Sequence, residues 1–157
     1  MNKATPNWEE ERETLIFQRE RNREQFHCVL QWLDLLEEGT NLAPYLKDHR
    51  CRRVAIYGAA RIGEMLLKEI RQYEQWEVEP VYFLDQSGKW LREKWGIPVY
   101  LPEEFPDLPE VDMVIVTAIS YFASVRDQLF LLRPEIPVVS LNTMIEVRKD
   151  EVWYEKR

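Results

Sequence analysis

The residues best placed to do chemistry are Gly58-Ala59-Ala60-Arg61-Ile62-Gly63, directly after the apolar run Val54-Ala55-Ile56-Tyr57. A strand that turns straight into a helix leaves the first helical N–H groups without partners, and these attract an anion such as a phosphate. Gly58 would allow the tight turn, and Gly63 would allow the helix to pack close to the strand. Ala60 stands where a second glycine would let the backbone approach a pyrophosphate, so its methyl group shifts the phosphates outward. Twenty-two residues beyond Gly63, Asp85 closes a second apolar run. A carboxylate there accepts ribose hydroxyl hydrogens and repels a 2′-phosphate, which favours NAD over NADP if the ligand is a dinucleotide. The competing reading is that both glycines serve only the turn.

Other groups carry less chemistry. Thr117 and Ala118, with Ser120 and Tyr121, fall at the end of an apolar strand, where they either meet a sugar or nicotinamide or start the next helix. A Tyr-x-x-x-Lys pair is missing, because position 125 is Val. His27 lies on a helix and His49 just before the first strand, so a general base would have to be a carboxylate or a tyrosine. Arg61 either reaches a phosphate or stays a solvated helix-face cation. No catalytic residue is singled out. Two cysteines, Cys28 and Cys51, and two histidines make no zinc spacing, so no metal is expected. Cys28 is expected in the core.

These residues need elements to hold them. From Arg52 onward strands and helices alternate: RVAIYG, the helix RIGEMLLKEIRQYEQ, then EPVYFLD. A weak helix or turn at Lys89–Lys94 leads to IPVY, and LPEEFPDLPE reads as a loop with one helical turn. MVIVTA, the helix YFASVRDQLFLLR and the strand PVVSL follow. Val/Ile-rich strands bounded by helices imply a parallel sheet covered on both faces. The expectation is an α/β, doubly wound parallel sheet of about five strands over residues 50–147.

Residues 6–38 hold no glycine and only Pro6, and they are rich in Glu, Arg, Gln and Leu. They predict one long helix, or two with a break near Asn22, with Thr5 as cap, Pro6 in the first turn and Gly39 as the stop. Its apolar stripe is Phe26, Val29, Leu30, Leu33 and Leu36, widened by Trp32 and Leu35. That stripe either docks on the α/β domain or pairs with a second copy, and a homodimer through this helix is the preferred expectation. The bland reading of its Glu/Arg run is a solvated face with i,i+4 pairs. Asn41 or Thr40 would cap a short helix, LAPYLKDH. The division is thus an N-terminal helical segment over 1–40 and a nucleotide-binding domain over 41–157.

The charge balance narrows the partners. The 157 residues carry 21 Lys+Arg against 28 Asp+Glu, a formal charge of −7. That leaves no excess of cations for nucleic-acid backbone binding. No stretch approaches the length of a membrane span, and the acidic N-terminus is unlike a secretory signal, so a cytoplasmic protein is expected. The length has no room for a separate catalytic domain beside the nucleotide fold.

Taken together, Leu33, Gly39, Leu42-x-x-Tyr45-Leu46, Val54-Ala55-Ile56-Tyr57-Gly58, Gly63 and Tyr82-x-x-Asp85 make a recognisable order. Ile97-Pro98-Val99-Tyr100, Asp112-x-Val114-Ile115-Val116-Thr117-Ala118 and Ile136-Pro137-Val138-x-Ser140-Leu141 complete it. Over residues 26 to 147 the chain resembles a Rossmann-type domain of bacterial capsular and surface polysaccharide synthesis, found alone or appended to glycosyltransferases. It is also similar to the nucleotide-binding N-terminal domain of sugar O-acyltransferases. The resemblance implies a nucleotide ligand, NAD or a nucleotide-sugar, held by Gly58, Ala60 and Gly63 at the phosphates and Asp85 at the ribose. With no acid, base or nucleophile in view, the expectation is an accessory or regulatory module whose partner is a glycosyltransferase. The alternatives are a small oxidoreductase or nucleotide-sugar-modifying enzyme completed by a partner, and an interaction module with a vestigial crevice.

Overall fold

The computed structural model describes residues 7–73 and 77–157. A single continuous helix, α1 (Trp8–Glu37), runs through Asn22 without a break, with Asn7 at its N-cap. The expected cap Thr5 and first-turn Pro6 lie outside the described residues. Gly39 ends the helix as expected, with φ +74, a left-handed conformation that costs glycine little. After α2 (Ala43–Asp48), whose Ala43 N–H donates to Asn41 Oδ1 at 2.9 Å, strands and helices alternate. The elements are β1 (Arg53–Tyr57), α3 (Arg61–Ile70), β2 (Glu79–Leu84), β3 (Glu93–Lys94), β4 (Ile97–Tyr100), β5 (Met113–Val116), α4 (Phe122–Leu132), β6 (Val138–Ser140) and α5 (Leu141–Glu155). A 3-10 helix over Pro102–Asp107 fills the proline-punctuated run.

The six strands form one sheet in the order β3-β4-β2-β1-β5-β6. The pairs β4–β2, β2–β1, β1–β5 and β5–β6 are parallel, so the five expected strands make the five-stranded parallel part. The chain winds outward from β1 to one side and then returns to build β5 and β6 on the other. This is a Rossmann-like doubly wound fold, and its direction of winding reverses beside β1.

Alternating strand residues separate two cores. Val54, Ile56, Phe83, Met113 and Ile115 face a layer made by α1, α2, α3 and α5. Ala55, Tyr82, Leu84, Val114 and Val116 face α4 and the 3-10 helix, through Val125, Leu129 and Phe105. Each aliphatic side chain fully buried here contributes roughly 1.5–3 kcal/mol.

Three readings of the sequence are corrected. Of the expected stripe, Phe26, Leu30, Leu33 and Leu36 are exposed and Val29 is half-buried, while Trp32 and Leu35, which widen it, form with Cys28 the buried face of α1. Burial follows the neighbours on offer: Trp32 lies where its indole N–H reaches Glu69 on α3 at 2.8 Å, a contact apolar periodicity does not encode. The Lys89–Lys94 region is a 3-10 turn over Gln86–Lys89 followed by the short strand β3, which pairs antiparallel with β4. Finally, α3 ends at Ile70, short of the expected helix; its expected residues Glu74 and Gln75 fall outside the described residues.

Candidate functional site

The candidate site lies at the carboxyl ends of β1 and β5, where the winding reverses. Gly58 leaves β1 with φ +109, and a Cβ placed there would stand 2.3 Å from Thr117 Oγ1. The Thr117 hydroxyl itself donates to Tyr57 O at 2.9 Å, fastening the turn to the end of β5. Thr117 is buried and its hydroxyl is thereby engaged within the protein. Ala118 follows it as the N-cap of the 3-10 turn Ile119–Tyr121.

Gly63 sits in the first turn of α3 with its Cα against β1. A Cβ there would stand 1.9 Å from Gly58 O and 3.5 Å from Phe83 Cε1. Helix and turn therefore meet at a distance that excludes every side chain. The N-cap of α3 is Ala60, whose methyl offers no acceptor to the first helical N–H groups. Arg61 and Ile62, the first two helical residues, lie at this uncapped positive end of the helix.

Asp85 is drawn into the same loop. Its Oδ2 accepts Ala59 N–H at 2.8 Å and its Oδ1 accepts Ser87 N–H at 2.8 Å. Burial pushes this carboxyl up, but the Ala59 and Ser87 hydrogen bonds and the charge of Lys94 outweigh it and hold it below the usual aspartate range. It is thus an ionised acceptor, unsuited to abstract a proton near neutral pH. Two accepted N–H groups leave lone pairs on the carboxylate for further donors.

Two residues at the loop were missed in the sequence. Lys94 reaches over from β3 to donate to Ala59 O and pairs with Glu64 Oε1 at 2.9 Å. Glu64, in the first turn of α3, also accepts from Arg61 at 3.2 Å. Hydrogen bonds from Lys94, Trp95 and Arg61 bring its carboxyl down to about 2. The signal for Lys94 was Trp95-Gly96: both have positive φ, 54° and 82°, and make the two-residue turn that folds β3 back on β4. Gly96 marked a turn, but a tryptophan in the left-handed region has no propensity to announce it. Around the loop, two cations, Arg61 and Lys94, balance two carboxylates, Glu64 and Asp85. Attraction for an anion therefore rests on backbone N–H groups.

Beyond β5, α1 is tied to the 3-10 turn Ile119–Tyr121. Arg21 donates to Tyr121 OH at 3.3 Å, Ser120 donates to Glu24 Oε2 at 2.6 Å, and the rings of Phe17 and Tyr121 meet edge-on at 5.9 Å. Ser120 and Tyr121 thus hold α1 beside the ends of the strands. The thiols stand apart: burial first, then Glu146 near Cys28 and Asp112 near Cys51, raises both to about 11. Neither supplies a thiolate near neutral pH. A cleft of about 900 Å³ opens elsewhere, between α2, α5 and the end of α3, lined by Lys47, Tyr73, Arg148 and Glu151 among others. Its Arg148 is engaged with Asn41 O at 3.0 Å, Thr40 Oγ1 at 2.7 Å and Glu151. Among the described residues no group of three or more His, Cys, Asp or Glu could hold a metal ion, and no helix is long and apolar enough to cross a membrane.

No family model matches this chain, and no curated protein matches it. Among solved structures the chain is similar to a UDP-D-quinovosamine 4-dehydrogenase from Vibrio fischeri, at 25% identity and TM-score 0.49, over 57% of this chain and 76% of that one. It is also similar to RSP in complex with β-NADH, at 11% identity and TM-score 0.43, over 67% of this chain and 63% of that one. Both scores fall below 0.5, and the site stands on its own geometry.

Proposed function

We propose that this chain binds a nucleotide, NAD or a nucleotide-sugar, in the crevice at Gly58–Gly63. On this reading Gly58, Ala59, Ala60, Arg61, Ile62 and Gly63 face the phosphates, Asp85 meets the ribose, and Thr117 and Ala118 form the floor toward β5. The observation that carries it is the uncapped start of α3 at Ala60, closed against the turn by Gly63 and flanked by an ionised Asp85. A helix start without a side-chain acceptor, beside a carboxylate with lone pairs to spare, suits a ligand that joins phosphate to ribose.

The role is that of an accessory or regulatory module in surface polysaccharide synthesis, without catalysis of its own and located in the cytoplasm. Its partners are a glycosyltransferase and a second copy of the chain held through α1. Asp85 is an acceptor in this scheme, and the crevice offers the ligand hydrogen bonds in place of a poised base.

Thermal unfolding titrated with NAD, NADP and UDP-sugars tests the reading. A ligand at a hundredfold its dissociation constant stabilises the native state by about 2.7 kcal/mol. NAD or a UDP-sugar should raise the midpoint with concentration, and NADP should do so less because Asp85 repels its 2′-phosphate. No shift with any of them at millimolar concentration sinks the proposal.

A further inference from the structure

The N-terminal half of α1 is a helix with little to hold it. Every residue from position 7 to position 20 is exposed, and its contact with the body begins at Phe17 and Arg21, against Tyr121. Short helices alone in water are marginal, and their stability comes mainly from packing one face. The charges do not supply it internally. Glu9 and Glu13, Arg19 and Arg23, and Glu20 and Glu24 are like-charged pairs at i,i+4, a spacing that disfavours an isolated helix. Among the described residues none of Glu9, Arg12, Glu13, Arg19, Glu20 and Arg23 makes an ion pair.

Seen against a second copy, the same charges fall into place. Residues 9–13 hold four Glu and one Arg, a net −3, whereas residues 19–23 hold three Arg and one Glu, a net +2. Between them lie Leu15 and Ile16, 65% and 47% exposed. Positions 9, 13, 16, 20 and 23 advance by alternate steps of four and three, so they share one face of the helix, four charged residues around Ile16. At 3.6 residues per turn, Ile16 and Arg23 point roughly opposite to Trp32, the side chain that docks α1 on the body.

We propose that two copies of this chain pair antiparallel through the N-terminal halves of α1, with the two-fold axis at Ile16. Residues equidistant from Ile16 are then neighbours: Glu9 meets Arg23, Arg12 meets Glu20 and Glu13 meets Arg19, each twice by symmetry. A parallel pair would instead set the acidic segments on each other and the basic segments on each other. The two bodies then lie on opposite sides of the paired helices, because each contacts the face of its own α1 that carries Phe17, Arg21 and Trp32, away from Ile16. The partner's α1 then starts beside Glu24, the acceptor of Ser120. This inference refines the homodimer reading and does not depend on the nucleotide.

Light scattering after size exclusion and sedimentation analysis of the whole chain test it. The wild-type chain should be dimeric at micromolar concentration. E9R/E13R and R19E/R23E should each raise the dimer dissociation constant at least tenfold. An equimolar mixture of the two should restore a dimer containing one of each, and the combined variant E9R/E13R/R19E/R23E should restore a homodimer. The combined variant carries every substitution, so its recovery separates lost pairing from lost helix. A wild-type chain that stays monomeric at all concentrations overturns both the homodimer and its geometry. A dimer whose affinity ignores the charge variants overturns the antiparallel register alone.

Discussion

The Asp85 carboxylate accepts the backbone N–H of Ala59 at 2.8 Å, so the end of β2 is bonded directly to the turn that leaves β1. One residue therefore shapes the loop and presents a negative charge beside it. The two roles separate experimentally.

Asp85→Asn keeps an acceptor for one N–H group but loses the second, at a cost of about 1–3 kcal/mol of stability. The native carboxyl titrates below its ordinary value, so the stability it adds is complete above that value, about 3.9, and disappears as pH falls through the lower native one. Urea unfolding of wild type and variant should therefore differ at pH 7 and converge in strong acid. Affinity for NAD or a UDP-sugar should fall at least tenfold at pH 7, measured by calorimetry. An unchanged affinity removes Asp85 from the ribose.

Gly63→Ala tests the closeness of helix and turn. The new methyl would lie 1.9 Å from Gly58 O, which is backbone and cannot swing aside. Overpacking of this kind costs roughly 1–3 kcal/mol, with the added expectation that α3 shifts away from β1. Denaturant unfolding reads the loss, and wild-type stability in the variant would refute the packing argument.

Glu69 links the two halves of the helical layer. Its Oε1 accepts Trp32 Nε1–H at 2.8 Å and its Oε2 accepts the Tyr73 hydroxyl. Burial raises this carboxyl, against the pull of the Tyr73 and Trp32 hydrogen bonds. A raised native value means that the folded chain binds the proton more tightly than the unfolded chain. The penalty is present in full above the native value and is relieved as pH falls through it toward about 4.3. The stability difference between Glu69→Gln and wild type should therefore favour the variant at neutral pH and shrink on acidification. Glu69→Ala, which strands the indole N–H, should cost about 1–3 kcal/mol in acid, where wild type carries no ionisation penalty, and less at neutral pH.

Lys94→Met removes the cation above the loop. Glu64 should then titrate higher than about 2, moving toward the ordinary glutamate value of about 4.3, as followed by side-chain carboxyl NMR. A Glu64 still near its wild-type value would show that Trp95 and Arg61 suffice.

Much of this was legible in the sequence because burial in a parallel sheet leaves a strong mark. Val54–Tyr57, Met113–Val116 and Ile97–Tyr100 are short apolar runs, and each became a strand. The glycine turn and Asp85 were legible because a left-handed backbone and a strand-end carboxylate narrow the residue types allowed. The helix α5 was not foreseen, since Asn142–Glu155 mixes charges with Val and Trp and starts directly from β6 at Ser140. Its burial of Leu141, Met144 and Ile145 depends on neighbours distant in the chain. Lys94 was hidden for a different reason: a pairing of only two residues on each strand carries no periodicity.

The two outermost strands of the sheet, β3 and β6, are two and three residues long. Each presents too few free backbone groups to template a strand from another molecule. The fold thereby discourages runaway growth of β-structure at its borders and leaves helix surface as the route to orderly assembly. The antiparallel pairing on α1 proposed above would close on itself at two chains, without drawing the sheet into a fibre.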